Sequence, residues 1–309
     1  MRPADVLGIA GLASIWGSGF LFTEAALAGL TAAQIVLVRL FVGGSLLLML
    51  SRARRAALPR DAKVLGRLLL MGLIGQAVPW LLFALGQQEV TSSLAGVYTG
   101  ATPLLTIPVT VVMLQGRPSR AEVTATAVGF VGLLVVFSPW LERADASLRG
   151  QILCLLGALC YAIAFGYVGR LLRDVELPKV SLAAVQALLA GVVMVPVTGR
   201  AASQTPRLTA AVVLAALTLA VGTAAAFLIN YWLISRVGPV RASLAFYLLP
   251  VVALVLGIAV LGEQLTGTQA LGTATILAAL AWLYLWERRS ATSPPRQQVG
   301  AGHRETLPD

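Results

Sequence analysis

The chain has 309 residues, 58% hydrophobic and only 12% charged, where soluble domains carry about 25% charged residues; too few charges remain to cover a water-facing surface. A formal net charge of +10 suggests nucleic acid only when the basic residues gather on one element, and here they are scattered between apolar runs, so no nucleic-acid partner is expected. The one histidine, His303, lies in the polar tail, and Cys154 and Cys160 sit on different sides of a helix, so neither a zinc site nor a disulfide is expected.

Runs of about 20 mostly apolar residues predict an all-α integral membrane protein of ten spans. They fall at 6–28, 33–50, 65–85, 92–114, 123–140, 150–169, 180–198, 210–233, 241–261 and 270–286. The first run is full length and shows no cleavage site, so no cleavable signal peptide is expected. Residues 287–309 are polar and proline-bearing and are expected to form a disordered cytoplasmic tail. With both termini inside, only Arg143, Arg149, Arg200 and Arg207 fall outside and Arg39 falls within a span; the other 18 of the 23 Lys and Arg lie on the cytoplasmic side. That asymmetry is the positive-inside pattern of a multi-pass plasma-membrane protein.

Taken in chain order, the spans carry few polar groups, and each one is costly in lipid. Span one holds Trp16 near its middle, the small cluster Gly17, Ser18 and Gly19, and Glu24. Span two holds Arg39, at a depth like that of Glu24 across the first hairpin. The two either form a salt bridge that lets both charges sit in lipid, or act directly: Arg39 on an anionic substrate group, Glu24 as a proton exchanger. Span three contributes Gln76 and Trp80, and span four Tyr98, with Gly96 and Gly100 spaced for close helix packing. Tyr161 in span six, Gln186 in span seven and Tyr247 in span nine complete a set of polar and aromatic residues too deep for the interfacial belts. They read either as helix packing with satisfied hydrogen bonds or as the lining of a common cavity, and Asn230 in span eight is a weaker member.

Two prolines, Pro103 and Pro250, stand inside spans four and nine, where proline removes a helix donor. Aligning "SSLAGVYTGATPLLTIPVTVVMLQGRPSR" with "VRASLAFYLLPVVALVLGIAVLGEQLT" places Pro103 on Pro250 at an offset of 147, and the same offset carries Arg39 onto Gln186. Each half then has five spans: 1–140 is the first repeat and 150–286 the second. An odd number inverts the second half, an arrangement typical of secondary transporters with a site between the repeats. The matched prolines are expected either as inherited kinks or as hinges.

"IWGSGFLFTEAAL" (15–27), "VLVRLFVGG" (36–44) and "ASLAFYLLPVVALVLGIAVLGEQLT" (242–266) resemble, in order and spacing, the signatures of EamA-type transporters of the drug/metabolite transporter superfamily. The resemblance spans about 5–286. It implies ten helices in two EamA repeats, cytoplasmic termini and movement of small metabolites, often outward. One departure is "GRPSR", where Arg117 stands in place of the acid that Glu263 supplies in the second half.

The expected function is therefore secondary transport, by alternating access, of small amphipathic metabolites such as amino acids. The expected partners are that substrate and the lipid bilayer, for a monomer or weak dimer without cofactor. A primary pump is excluded by the lack of a phosphate-binding loop. An intramembrane lipid-handling enzyme lacks a nucleophile–base pair, paired aspartates or a metal site, so no catalytic residue is expected. A non-transporting scaffold or receptor remains the other alternative.

Overall fold

A computed structural model describes residues 2–86, 89–90, 98–114, 118–137, 147–200, 206–261 and 266–292. Among these residues there is no strand. The helices are α1 (Pro3–Leu27), α2 (Ala32–Ala53), α3 (Ala62–Gly72), α4 (Val78–Gly86), α5 (Thr102–Leu114) and α6 (Arg120–Phe137), then α7 (Leu148–Asp174), α8 (Lys179–Arg200), α9 (Ala210–Val237), α10 (Pro239–Ser243), α11 (Ala245–Leu261) and α12 (Gly267–Thr292). Six helical stretches in the described residues are long and apolar enough to cross a membrane. The large apolar side chains left exposed, such as Leu7, Met49, Val112, Val192, Leu214 and Leu271, suit lipid contact in such a chain.

Short polar residues start several helices by accepting the free N–H groups of the first turn. Thr31 and Gln34 form a reciprocal box at α2, Ser119 and Glu122 at α6, and Thr266 and Gln269 at α12. Asp61 caps α3, Ser147 caps α7 and Thr209 caps α9.

α3 and α4 are one span interrupted by a π-turn at Leu73–Ala77. Pro79 lies just after it and has no N–H to return to the Gly75 carbonyl; a widened turn is a common answer to such a gap. The expected mid-helix position of Pro103 needs correction. A turn at Ala101 breaks that span, and Pro103 is the second residue of the helix that resumes at Thr102, where proline is well tolerated. The Thr99 carbonyl, which Pro103 cannot serve, accepts the Thr102 hydroxyl instead at 2.7 Å. The proline inside α5 is Pro108. The chain also breaks at Leu244, between α10 and α11, and Pro250 lies within α11. The expected tail is shortened as well, because α12 continues to Thr292 with Arg289 in its last turn, where a cation suits the carbonyl end.

The packing crosses between the halves. α1 lies against α9 and α11, and α7 lies against α4 and α5; α2 pairs with α8, and α6 with α12. The α6–α12 contact is backbone-close, for a Cβ on Gly132 would stand 2.9 Å from the Gly272 carbonyl and one on Gly272 only 2.5 Å from the Val136 nitrogen. Small residues are what permit such approach between membrane helices. The main buried cluster, which includes Leu12, Leu47, Phe165, Leu182, Tyr231 and Phe246, joins helices of both halves around the centre.

Candidate functional site

Arg39 projects from the middle of α2. Its Nε donates to the Thr223 hydroxyl of α9 at 3.0 Å, and its guanidinium lies over the Trp80 ring, 3.9 Å from the centroid. A cation over an indole face is stabilised by the ring quadrupole, the more so where water is scarce. Trp80 is in place because the π-turn ends three residues before it. Tyr161 of α7 neighbours both Arg39 and Trp80.

From Tyr161 an aromatic row continues. Its ring stacks on Phe83 at 5.8 Å and 20° and meets Phe246 of α11 at 5.3 Å. Phe246 in turn contacts Trp16 of α1 at 5.2 Å and the edge of Phe165 at 5.8 Å. These spacings are those of favourable aromatic pairs. Phe83 reaches the row across a glycine: a Cβ on Gly157 would stand 2.8 Å from its ring. Arg39 and Tyr161 are surrounded by protein, yet Trp16, Arg39, Trp80 and Tyr161 each keep part of their surface accessible. Four of the residues singled out in the sequence thus come together, from α1, α2, α4 and α7.

The remaining ones lie apart or to the side. Tyr98 packs beside Phe83 and donates to Gln151 at 2.8 Å. Tyr247 is fully buried between α11 and α6, its hydroxyl on the Thr126 carbonyl at 2.8 Å and its ring against Gly129. Gln186 is also fully buried; its Oε1 accepts the Tyr231 hydroxyl, while Nε2 finds no partner among the described residues. Among the described residues, Gln76, buried within the π-turn, has no partner for either amide atom, and Asn230 has none for Oδ1. The side chains of Glu24 and Pro250, and all of Gly96, Arg117 and Glu263, lie outside the described residues. The Glu24–Arg39 pairing expected from the first hairpin therefore falls outside them too.

Sequence reading passed over Thr223, Phe83, Phe165 and Phe246, because a threonine or phenylalanine in an apolar run carries no signal of its own. One signal was present for Thr223. The offset of 147 that maps Arg39 onto Gln186 also maps Gln76 onto Thr223, so the partner of Arg39 stands where the first half has its buried glutamine.

Comparison with known proteins bears on the whole chain. A family model described as "EamA-like transporter family" matches twice, over residues 4–138 and 148–285. The chain is 27% identical over 303 residues to the uncharacterized inner membrane transporter YedA of Escherichia coli K12, covering 93% of this chain and 94% of that one. It is 23% identical over 273 residues to the uncharacterized transporter YdfC of Bacillus subtilis 168, covering 88% of each. A solved crystal structure superposes with a TM-score of 0.76 at 18% identity, over 95% of this chain and all of its own, which is a likeness of fold. With the family model matched across both halves, this chain belongs to the EamA-like transporter family.

Proposed function

We infer that the protein is a secondary transporter that moves small amphipathic metabolites, amino acids or related compounds, by alternating access through a cavity between two inverted five-helix repeats. The observation that carries this reading is a row at the contact of the two halves, in which half-buried Trp16, Arg39, Trp80 and Tyr161 meet buried Thr223 and Phe246. Trp16, Arg39 and Trp80 come from the first half, and they meet Tyr161, Thr223 and Phe246 of the second. A site made at the contact of two halves changes shape when the halves rock, which is what alternating access requires.

Three further observations support the ten-helix inverted repeat. The family model matches each half separately. The helix contacts exchange under the repeat: α1 on α9 and α11 answers to α7 on α4 and α5, while α2–α8 and α6–α12 map onto themselves. Ion pairs obey the same exchange. Asp5 binds Arg236 at 2.7 Å, and Glu89 binds Arg149 at 2.9 Å; Glu89 and Arg236 are themselves 147 residues apart, so the two pairs are counterparts with reversed charge. In this reading they lie at opposite faces and tie the halves there. The Lys and Arg distribution supports cytoplasmic termini, and the relatives' names support placement in an inner membrane.

The test is transport by purified protein in liposomes against a metabolite panel, with and without a pH gradient. Saturable flux of at least one small amphipathic solute is expected. A complete lack of flux across the panel would sink the reading.

A further inference from the structure

We propose that the central site selects organic monoanions, holding a single carboxylate on Arg39 and an apolar or aromatic body against Trp80, Tyr161 and Phe246. The inference rests on the transport reading above and names the substrate class of that same site.

Charge count is the first argument. Arg39 and Glu24 are the ionisable residues that the sequence puts deep within the spans, and Arg39 alone has its side chain placed at the aromatic row. The repeat would offer a second cation at position 186, but that residue is Gln186, buried and bonded to Tyr231. The site is thus asymmetric, with one guanidinium in one half and a neutral amide at its counterpart. Among the described side chains, the one cation of this low-dielectric site compensates one anionic charge, and a second anionic charge would be left without a partner.

Geometry is the second argument. Thr223 takes Nε, and Trp80 takes one face of the guanidinium. Both contacts fix the plane of the fork. Neither uses the terminal nitrogens, for which the described residues supply no acceptor, while Arg39 keeps accessible surface. A planar guanidinium held this way presents parallel N–H groups suited to a carboxylate. A sulfonate shares the single charge but not the planar pair of oxygens, and a phosphate monoester matches neither charge nor plane. Beside the fork, the described residues place aromatic faces and the Thr223 hydroxyl, which suit an apolar body and give an ammonium no carboxylate to pair with. Amino acids would then bind through the carboxylate, their ammonium adding little.

The experiment uses the full chain in detergent and matched probes on one body: phenylacetate, phenylacetamide, phenethylamine and phenylsuccinate, with indole-3-acetate as a larger carboxylate. Trp16 and Trp80 lie in the site, so binding is read as saturable change in tryptophan emission and checked by calorimetry. At least one of the two monocarboxylates is expected to bind roughly tenfold to a hundredfold tighter than the amide, amine and dicarboxylate. Equal or tighter binding by any of those three overturns the proposal, as does failure of both monocarboxylates to bind. Arg39→Gln is expected to abolish the preference for carboxylate over amide, and Arg39→Lys to retain part of it.

The double variant Arg39→Gln/Glu24→Gln separates recognition from charge balance. If Arg39 binds the carboxylate, the double variant stays without preference. If Arg39 only neutralises Glu24, the preference returns and the proposal is wrong. Transport is scored apart from binding. Carboxylate selectivity without flux of any solute would refute transport and leave this assignment standing; flux with an amine or amide preference would do the reverse.

Discussion

At the scale of single residues, the interior shows how few polar groups a membrane chain retains and how unevenly they are satisfied. Gln186 accepts from Tyr231, so Tyr231→Phe removes the one bond of a fully buried amide. Leaving a buried acceptor unpaired costs about 1–3 kcal/mol, and a lower Tm in detergent is expected. Gln76 is the opposite case, since neither amide atom is bonded among the described residues. Gln76→Leu, similar in volume, is expected to hold or raise the Tm; a fall of more than a few degrees would mean that Gln76 has a partner. Asp5 supplies the pH test. Burial works to raise its carboxyl, but the Arg2 backbone N–H and the Arg236 guanidinium together hold it below the ordinary value of 3.8. A depressed value in the folded state contributes stability above the unfolded pKa and loses it as pH falls through the folded one. The Tm difference between wild type and Asp5→Asn is therefore expected to stay constant from neutral pH to about 5 and to shrink only in stronger acid. A difference that vanished near pH 6 would contradict the pairing.

At the scale of elements, the third span and the fifth helix carry the local irregularity. The π-turn before Pro79 rotates α4 relative to α3 and so decides where Trp80 points. The "GQAVP" stretch at 75–79 held that information, but an apolar window treats it as one continuous run. Pro103 and Pro108 divide their roles. Pro103 starts a helix, so Pro103→Ala is expected to change stability little; Pro108 interrupts one, and Pro108→Ala is expected to raise stability by up to about 3 kcal/mol. If Pro103→Ala and Pro250→Ala both leave the transport rate intact, the prolines shape the helices without acting as hinges. Gly157 is where element packing meets the site. Gly157→Leu would drive a side chain into Phe83, at about 1–3 kcal/mol for overpacking, and is expected to disturb the Phe83–Tyr161 stack and with it ligand-induced tryptophan quenching.

At the scale of the whole molecule, the contact pattern joins each half more to the other than to itself. α1 is held by α9 and α11, and Arg236 and Arg241 of the second half bind Asp5 and Glu122 of the first at 2.7 and 2.8 Å. Such an arrangement does not fall into two independent folding units. Separately expressed halves 1–140 and 148–309 are expected to be unstable alone and to copurify when coexpressed. Reporter fusions at the C-terminus are expected to report a cytoplasmic location; an outside signal would overturn the positive-inside argument.

The sequence by itself determined the membrane class, and it carried the reading of a doubled chain. Each rests on local quantities: apolar run length against bilayer thickness, the sidedness of Lys and Arg, and a spacing of 147 between matched residues. It placed helix ends less well. A bilayer limits apolarity but not helicity, so α7 runs on to Asp174 and α12 to Thr292. Starts were legible in T-x-x-Q at 31–34, S-x-x-E at 119–122 and T-x-x-Q at 266–269, had capping been read beside hydropathy. Only the tertiary structure sorted the deep polar and aromatic residues. Trp16, Arg39, Trp80 and Tyr161 share the central row, whereas Tyr247 and Gln186 are consumed by packing. Depth along a helix can be counted from sequence, but which side of the helix faces a cavity depends on neighbours up to 184 residues away, as Thr223 is from Arg39.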